Sequence, residues 1–284
     1  MGGGRAMADR QLTAALAGSA AATAAVPSVE AVPAILGARP WRWVVHTDSL
    51  DLFADRSRQA VAADPTDRLT LISCGDALHR ARVALAADGL AARVTLLPDA
   101  DPDHVASVTA PERIDVTDQA RTRYEATELR PADRRQADHG PEHGPADLGA
   151  AADARPPATA IAALVAAAAD EGMRLRLLDR HQVIELAAAT SVTRRAQDRI
   201  RQDDATVYGV LEGDGDSPHA WLRAGEALSA VWLEASQRGL SIVPSTAVVE
   251  IPASRKVIRR LIPSLGTPYL AIRIGVSELG PPTP

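Results

Sequence analysis

An α+β fold built from two related halves is what this sequence predicts, and three observations predict it. Short β-prone runs alternate with long helical patterns along the chain. The two longest helical patterns echo one another at a fixed spacing. A stretch rich in Pro, Gly, Asp and Arg separates the segments that carry the echo.

Residues 9–25 read as an alanine-rich helix and 26–39 as a loop punctuated by proline. Residues 41–46 and 50–54 read as two strands joined by the polar turn Thr47-Asp48-Ser49. Trp41 and Trp43 are read on opposite faces of the first strand, one in the core and one bordering a pocket. A long helix is expected to begin at Asp64-Pro65-Thr66, with an acidic cap and a proline at its head, and to stop at Gly89. Residues 93–97 read as a strand. From Asp99 to Pro157 little apolar periodicity is visible, and residues 127–157 read as a linker or lid.

Order resumes with a helix over 158–170, a strand over 174–178 and a charged helix over 182–203. Residues 207–211 form a short strand, and Gly213-Asp214-Gly215-Asp216 a turn without the remaining ligands of a calcium loop. Ser217-Pro218 caps a second long helix, predicted to reach Gln237 and to end at Gly239. A strand over 241–244, a helix near 254–261 and an alternating strand over 269–274 complete the chain. The domain reading is therefore 1–126, a linker or lid at 127–157, and 158–284, the two halves forming one intertwined unit.

The echo lies in the long helices. Cys74-Gly-Asp-Ala-Leu-His matches Ala224-Gly-Glu-Ala-Leu-Ser, with Gly75 and Gly225 lying 150 positions apart. At the same offset Gly89 meets Gly239 and Leu90 meets Leu240. Either two alanine-rich helices align by chance, or a unit is duplicated and packs as an intrachain pseudo-dimer with a small-ligand pocket at its seam. The acidic residues beside the paired glycines, Asp76 and Glu226, are expected to be solvated or capping.

Composition bounds the function. The 284 residues are 46% apolar and 24% charged, an ordinary globular balance that suffices for a buried core. Net charge is -5, so no overall field draws in a phosphate polymer, and no nucleic-acid partner is expected. The absence of an apolar run of about 18 residues argues against a membrane span. Residues 12–26 are a weak match to a signal peptide, because Asp9 interrupts the basic region and Gly, Ser and Thr dilute the apolar one. Cys74, the single cysteine, forms no intrachain disulfide, which fits a cytoplasmic protein. It reads as a small buried side chain rather than a nucleophile, and His79 as a hydrogen-bonded histidine rather than a base. His139 and His143 lack a third metal ligand at a sensible spacing, and no P-loop or dinucleotide glycine fingerprint occurs.

Two stretches carry a family resemblance. The first comprises Pro40-Trp-Arg-Trp-Val, then the run from Leu50 to Gln59, Asp64-Pro65, Ile72-Ser-Cys-Gly-Asp-Ala-Leu-His79 and Arg82-Val-Ala-Leu85. The second is Trp221-Leu-Arg-Ala-Gly-Glu-Ala-Leu-Ser-Ala-Val-Trp232, continuing to Gly239-Leu-Ser. Together they resemble the Acg family, an actinobacterial branch of the FMN-dependent nitroreductases. The resemblance implies a single chain that folds like a nitroreductase dimer. It also implies an FMN-binding oxidoreductase that uses NAD(P)H to reduce nitroaromatic or quinone-like acceptors. The alternative is a non-catalytic relative that binds or sequesters flavin weakly, or binds another ligand or a protein.

The same resemblance supplies candidate cofactor contacts: Arg39, Trp41, Arg42, Ser73, Arg121, Arg123 and Ser245. The family's flavin motif reads Pro-Ser-x-His-Asn-x-Gln-Pro-Trp. Here Ala34, Leu36, Gly37 and Arg39 replace its serine, histidine, asparagine and glutamine. Arg39 either sets a positive charge near the flavin ring or is a solvated surface arginine. Arg121-Thr-Arg123-Tyr is a faint counterpart of the family's phosphate-binding run, and solvated loop arginines are the other reading. Ser245 falls where the family places a serine beside the ring. The lost polar groups predict weak FMN binding, and the assembly expected is a monomer or homodimer.

Overall fold

The computed structural model describes residues 40–46, 49–58, 66–128, 154–189, 205–245, 252–262 and 266–277. The chain divides into two compact units, Met1–Arg130 and Pro131–Pro284. Among the described residues, each holds one four-stranded antiparallel sheet.

In the first unit the strands are β1 (Trp41–Val45), β2 (Ser49–Ala54), β3 (Leu90–Leu96) and β4 (His104–Arg113). Their spatial order is β1-β2-β4-β3. Helix α1 (Arg68–Ala87) joins β2 to β3 and packs across all four strands, and α2 (Asp118–Glu128) lies against α1. The two-residue period of a strand sets the faces. Leu50, Leu52 and Ala54 of β2 point to the core, as do Ala106, Val108 and Ala110 of β4. Trp41 pairs with Ala54 and Trp43 with Leu52, so both tryptophans share the inward face, two residues apart. That corrects the opposite-face reading.

The second unit repeats the plan. After α3 (Ala158–Asp170), β5 (Arg174–Leu177) and α4 (Arg180–Ala189) come β6 (Val207–Gly213), α5 (Pro218–Gln237), β7 (Leu240–Ser245), α6 (Pro252–Leu261) and β8 (Thr267–Val276). The order is β5-β6-β8-β7, the same as in the first sheet. Helices α1 and α5 are each 20 residues long, and both their ends correspond at the 150-residue offset. Both are closed by a left-handed glycine, Gly89 at φ 73° and Gly239 at φ 64°. The glycine N–H groups donate to Ala86 O and Ser236 O, at 3.1 and 3.2 Å. Their carbonyls accept from Ile114 N–H and Ser277 N–H, at 2.9 and 2.8 Å. The echo is thus a repeated topology, down to the hydrogen bonds that turn the helix into the next strand.

The units differ in cover. In the second, α5 packs on β6 and β7, while Leu186 of α4 and Ile258 of α6 form a cluster with Val210 and Ala271 from the sheet. With partners on both faces, Tyr269, Leu270, Ala271 and Ile272 are all buried. The expected alternation in this strand is therefore absent, for the reason that central strands covered on both sides read as continuous apolar runs.

Three expectations change. Helix α1 begins at Arg68 behind Asp67, whose φ of 58° is left-handed and whose side chain makes no cap. Its carboxylate instead accepts from Arg56 Nε at 2.9 Å. Asp64 and Pro65 lie outside the described residues. Between Asp99 and Pro157 the structure sets β4 at the sheet centre and α2 against α1, so this stretch is not featureless. Thr127, expected in the linker, is a buried residue of α2, and residues 129–153 lie outside the described residues. The charged helix expected over 182–203 is described as Arg180–Ala189, with 190–204 outside.

Candidate functional site

The candidate site gathers around α1 in the first unit. Trp41 is buried at the start of β1. Cys74 Sγ contacts Pro40 O at 3.8 Å, which brings the middle of α1 against the residue before Trp41. Ser73, beside Cys74, is 2% exposed and donates its hydroxyl to Leu69 O at 2.8 Å. Trp41 and Ser73 are thus the sequence neighbours of the two residues that meet at the β1–α1 contact. Burial pushes the Cys74 thiol well above its ordinary range, and Arg56 opposes this only in part. An unionised, buried thiol is no nucleophile.

Arg42 goes elsewhere. Its guanidinium stacks over the Phe53 ring, 4.2 Å from the centroid, on the outward face of the sheet. Phe53 in turn stacks on His104 at 4.5 Å with the rings 16° apart. A polar chain runs alongside. His46 Nε2 lies 3.0 Å from Asp51 Oδ2, and His104 Nε2 lies 3.5 Å from Asp51 Oδ1. On its other side, His104 Nδ1 meets Asp99 Oδ2 at 2.8 Å. The hydrogen bond from His104, helped by the Asp101 N–H, holds the Asp99 carboxyl below its usual value. Sequence reasoning missed this constellation, because its members come from two strands and a loop with no common spacing. Among the described residues no group of three or more His, Cys, Asp or Glu is arranged to hold a metal ion.

Arg121 and Arg123 lie on α2, a helix rather than a loop. Arg121 is 63% exposed and faces Asp118 at 3.8 Å. The charge of Arg123 acts on His79 of α1. Burial pushes that imidazole down to about 3, and Arg82, Arg80 and Arg123 add to the shift. His79 is consequently neutral near pH 7. Asp76 and Glu226, expected in solvent, are 3% and 1% exposed. Each is paired within its own helix, Asp76 to Arg80 Nε at 3.0 Å and Glu226 to Arg223 at 3.3 Å. The expectation that these residues beside the paired glycines are solvated or capping does not hold, because most of α1 is buried.

Ser245 belongs to the second unit, at the end of β7 opposite Ala271, and is half-buried. Arg39 lies outside the described residues. The Gly213–Asp216 turn has a structural anchor. Glu212, fully buried, accepts from Arg176 at 3.1 Å and from the Gly266 N–H, with Arg174 at 3.6 Å. Arg174 also pairs with Asp214 at 2.9 Å, which holds the Asp214 carboxyl below its usual value. Tyr269 donates its hydroxyl to Gly215 O at 2.8 Å, and Trp221 Nε1 donates to Asp216 at 2.7 Å. These contacts tie the turn to β5, β8 and α5.

Two antiparallel sheets of identical strand order, each with a long helix between its second and third strands, define an α+β protein with a nitroreductase-like fold. The chain is 31% identical to a Mycobacterium tuberculosis protein, acg, which bears the provisional name NAD(P)H nitroreductase, over 89% of this chain and 88% of that one. A second protein of that organism with the same provisional name is 29% identical over 89% of this chain and 85% of its own length. A third, uncharacterised, is 28% identical over 86% of this chain. No protein-family model matches. The chain belongs to the Acg family of nitroreductase-like proteins.

Proposed function

We propose that this protein is an oxidoreductase of nitroreductase type, which binds FMN and uses NAD(P)H to reduce nitroaromatic or quinone-like acceptors. The observation that carries the reading is near full-length similarity to a relative named for NAD(P)H-dependent nitroreduction. Flavin, when bound, supplies the redox chemistry, taking electrons from the nicotinamide and passing them to the acceptor. The protein's part is to bind and orient. Arg121 and Arg123 offer guanidinium groups of the kind a phosphate requires. Trp41 offers an apolar wall, Ser73 a buried hydroxyl that donates to Leu69 O, Ser245 a half-buried hydroxyl and Arg39 a charge. Arg42 is held on Phe53, so its use by a ligand on the inward face would require that stack to open. Partners are small molecules; the negative net charge favours these over a nucleic acid, and nothing points to a membrane partner. The reading is of a cytoplasmic monomer or homodimer, and the lone cysteine supports the compartment.

A second reading has its own support. Ala34, Leu36 and Gly37 carry none of the polar groups with which the family motif grips the flavin. On that ground the protein would be a non-catalytic relative that binds or sequesters flavin weakly, or binds another ligand or a protein. One assay separates the two: NAD(P)H consumption in the presence of added FMN and a nitroaromatic acceptor. Turnover above that of free FMN supports the enzyme. Flavin binding without turnover supports the relative, and neither binding nor turnover removes the flavin from both.

A further inference from the structure

The β3–β4 turn and strand β2 meet at one imidazole. His104 opens β4, with its ring stacked on Phe53 of β2 and its side chain 11% exposed. A carboxylate stands at each ring nitrogen. Asp99 Oδ2, from the turn, lies 2.8 Å from Nδ1, and Asp51 Oδ1, from β2, lies 3.5 Å from Nε2. The two ends are not equivalent. The Nδ1 contact is a hydrogen bond, whereas Nε2 and Asp51 Oδ1 are both buried and have no hydrogen-bond partner among the described residues. A neutral imidazole carries one N–H, so it serves one carboxylate and turns a bare lone pair toward the other. A second ring proton would satisfy both orphaned atoms at once, and a buried polar atom left unpaired is costly.

We propose that His104 is a proton-operated clasp. The doubly protonated ring ties Asp99 to Asp51 and so holds the β3–β4 turn against β2, while the neutral ring keeps Asp99 and releases Asp51. The turn is built to respond. Leu97 enters it at φ 50°, a left-handed conformation that a leucine adopts only under constraint. Further on, Asp99 Oδ1 accepts from Asp101 N–H and Asp101 Oδ1 from Asp103 N–H, both at 2.9 Å. The Asp99 carboxylate therefore links the ring to the backbone of the turn. The charges that face the ring favour the second proton. Asp99 meets it from the turn and Asp51 from β2. Behind them, Arg42 lies over Phe53, His46 sits 3.0 Å from the other Asp51 oxygen, and Arg56 is paired with Asp67 and Asp103. A charged ring also accounts for the direction in which His104 moves the Asp99 carboxyl. Histidine is the side chain that changes charge nearest neutrality, so the tie is made on the acid side and lost as pH rises.

The test is amide hydrogen exchange of the full chain, read by NMR, with the His104 ring titration followed in the same samples. Exchange at the Asp101, Asp103 and His104 N–H groups is compared at about pH 5.5 and about pH 8. The rates are corrected for intrinsic exchange and referred to amides of β8, which removes changes in global stability. Wild type is expected to protect the turn at least about tenfold better at the lower pH, the weight of one charge-assisted hydrogen bond. The midpoint of that change should coincide with the ring's own. Asp51→Asn, which keeps the shape of the side chain and removes its charge, is expected to bring the two pH values within about twofold of one another. His46→Gln should keep the wild-type ratio, since His46 holds the other Asp51 oxygen. The inference is overturned if the turn in wild type is equally protected at both pH values, or if its midpoint differs from the ring's. It is equally overturned if Asp51→Asn retains the wild-type ratio, or if His46→Gln abolishes it, which would put the responsible proton on His46. Should Asp51→Asn not fold, the comparison of the two wild-type midpoints still decides.

Discussion

Replacing Gly89 by alanine tests how the long helix hands over to the next strand. Gly89 sits at φ 73°, and the left-handed conformation costs an L-residue about 1–2 kcal/mol. Alanine also restricts the unfolded chain, which returns about 0.4–1 kcal/mol. The net expected from conformation alone is about 1 kcal/mol. Gly172, at φ 75° with nothing within 4 Å of an added Cβ, isolates that part. At Gly89 the added Cβ would lie 3.0 Å from Ile114 O and 3.2 Å from Val116 Cγ2. The carbonyl cannot retreat cheaply, because Ile114 N–H is itself bonded to Gly89 O at 2.9 Å. Relieving the contact would strain that bond, for a further penalty of about 1 kcal/mol. Gly89→Ala should therefore lose about 2 kcal/mol and Gly172→Ala about 1 kcal/mol. Urea unfolding followed by circular dichroism reads both. A Gly89→Ala variant no less stable than Gly172→Ala would refute the packing argument at this junction.

Three further outcomes are expected. Glu212→Gln removes the charge that holds Arg176 and the Gly266 N–H; with both arginines partly exposed, a loss of about 2 kcal/mol in urea unfolding is expected, and a loss under about 0.5 kcal/mol would rule out the anchoring role. For His79 the folded value of about 3 lies below the ordinary 6.5, so the unfolded chain binds the extra proton between them. Its contribution is complete above about pH 6.5 and is lost as pH falls toward 3, so His79→Gln should flatten the stability profile across that window; an unchanged slope would contradict its neutral burial. Asp99, held below its usual value by His104, contributes stability that is present above the unfolded carboxylate value and lost as pH falls through the folded one. Asp99→Asn should remove that acid-side loss, as read by melting temperature against pH.

Much of the fold was legible where local chemistry is strong. Ser217-Pro218 and Gly239 bracket α5 as the capping rules require, with Ser217 accepting from Ala220 N–H at 3.3 Å. The start of α1 was not legible, since a left-handed aspartate whose carboxylate serves Arg56 carries no cap signature. Strand β4 does alternate, with Ala106, Val108 and Ala110 inside and Ser107 and Thr109 between them. Its small residues, the Asp-rich turn before it and Pro111 within it hid that pattern. Of the site, the contact of Cys74 with Pro40, beside Ser73 and Trp41, follows from one strand lying on one helix. The burial of Asp76, Arg80 and Glu226 depends on tertiary cover around their helices, which no local pattern records.

The proposed NAD(P)H-dependent flavin oxidoreductase activity is tested by mixing the protein anaerobically with FMN and NADPH and following the flavin absorbance. The protein, in proportion to its concentration, is expected to accelerate bleaching of the flavin, and a nitroaromatic acceptor is then expected to restore the absorbance. Bleaching no faster than for free FMN, at saturating FMN and with folded protein, would contradict it.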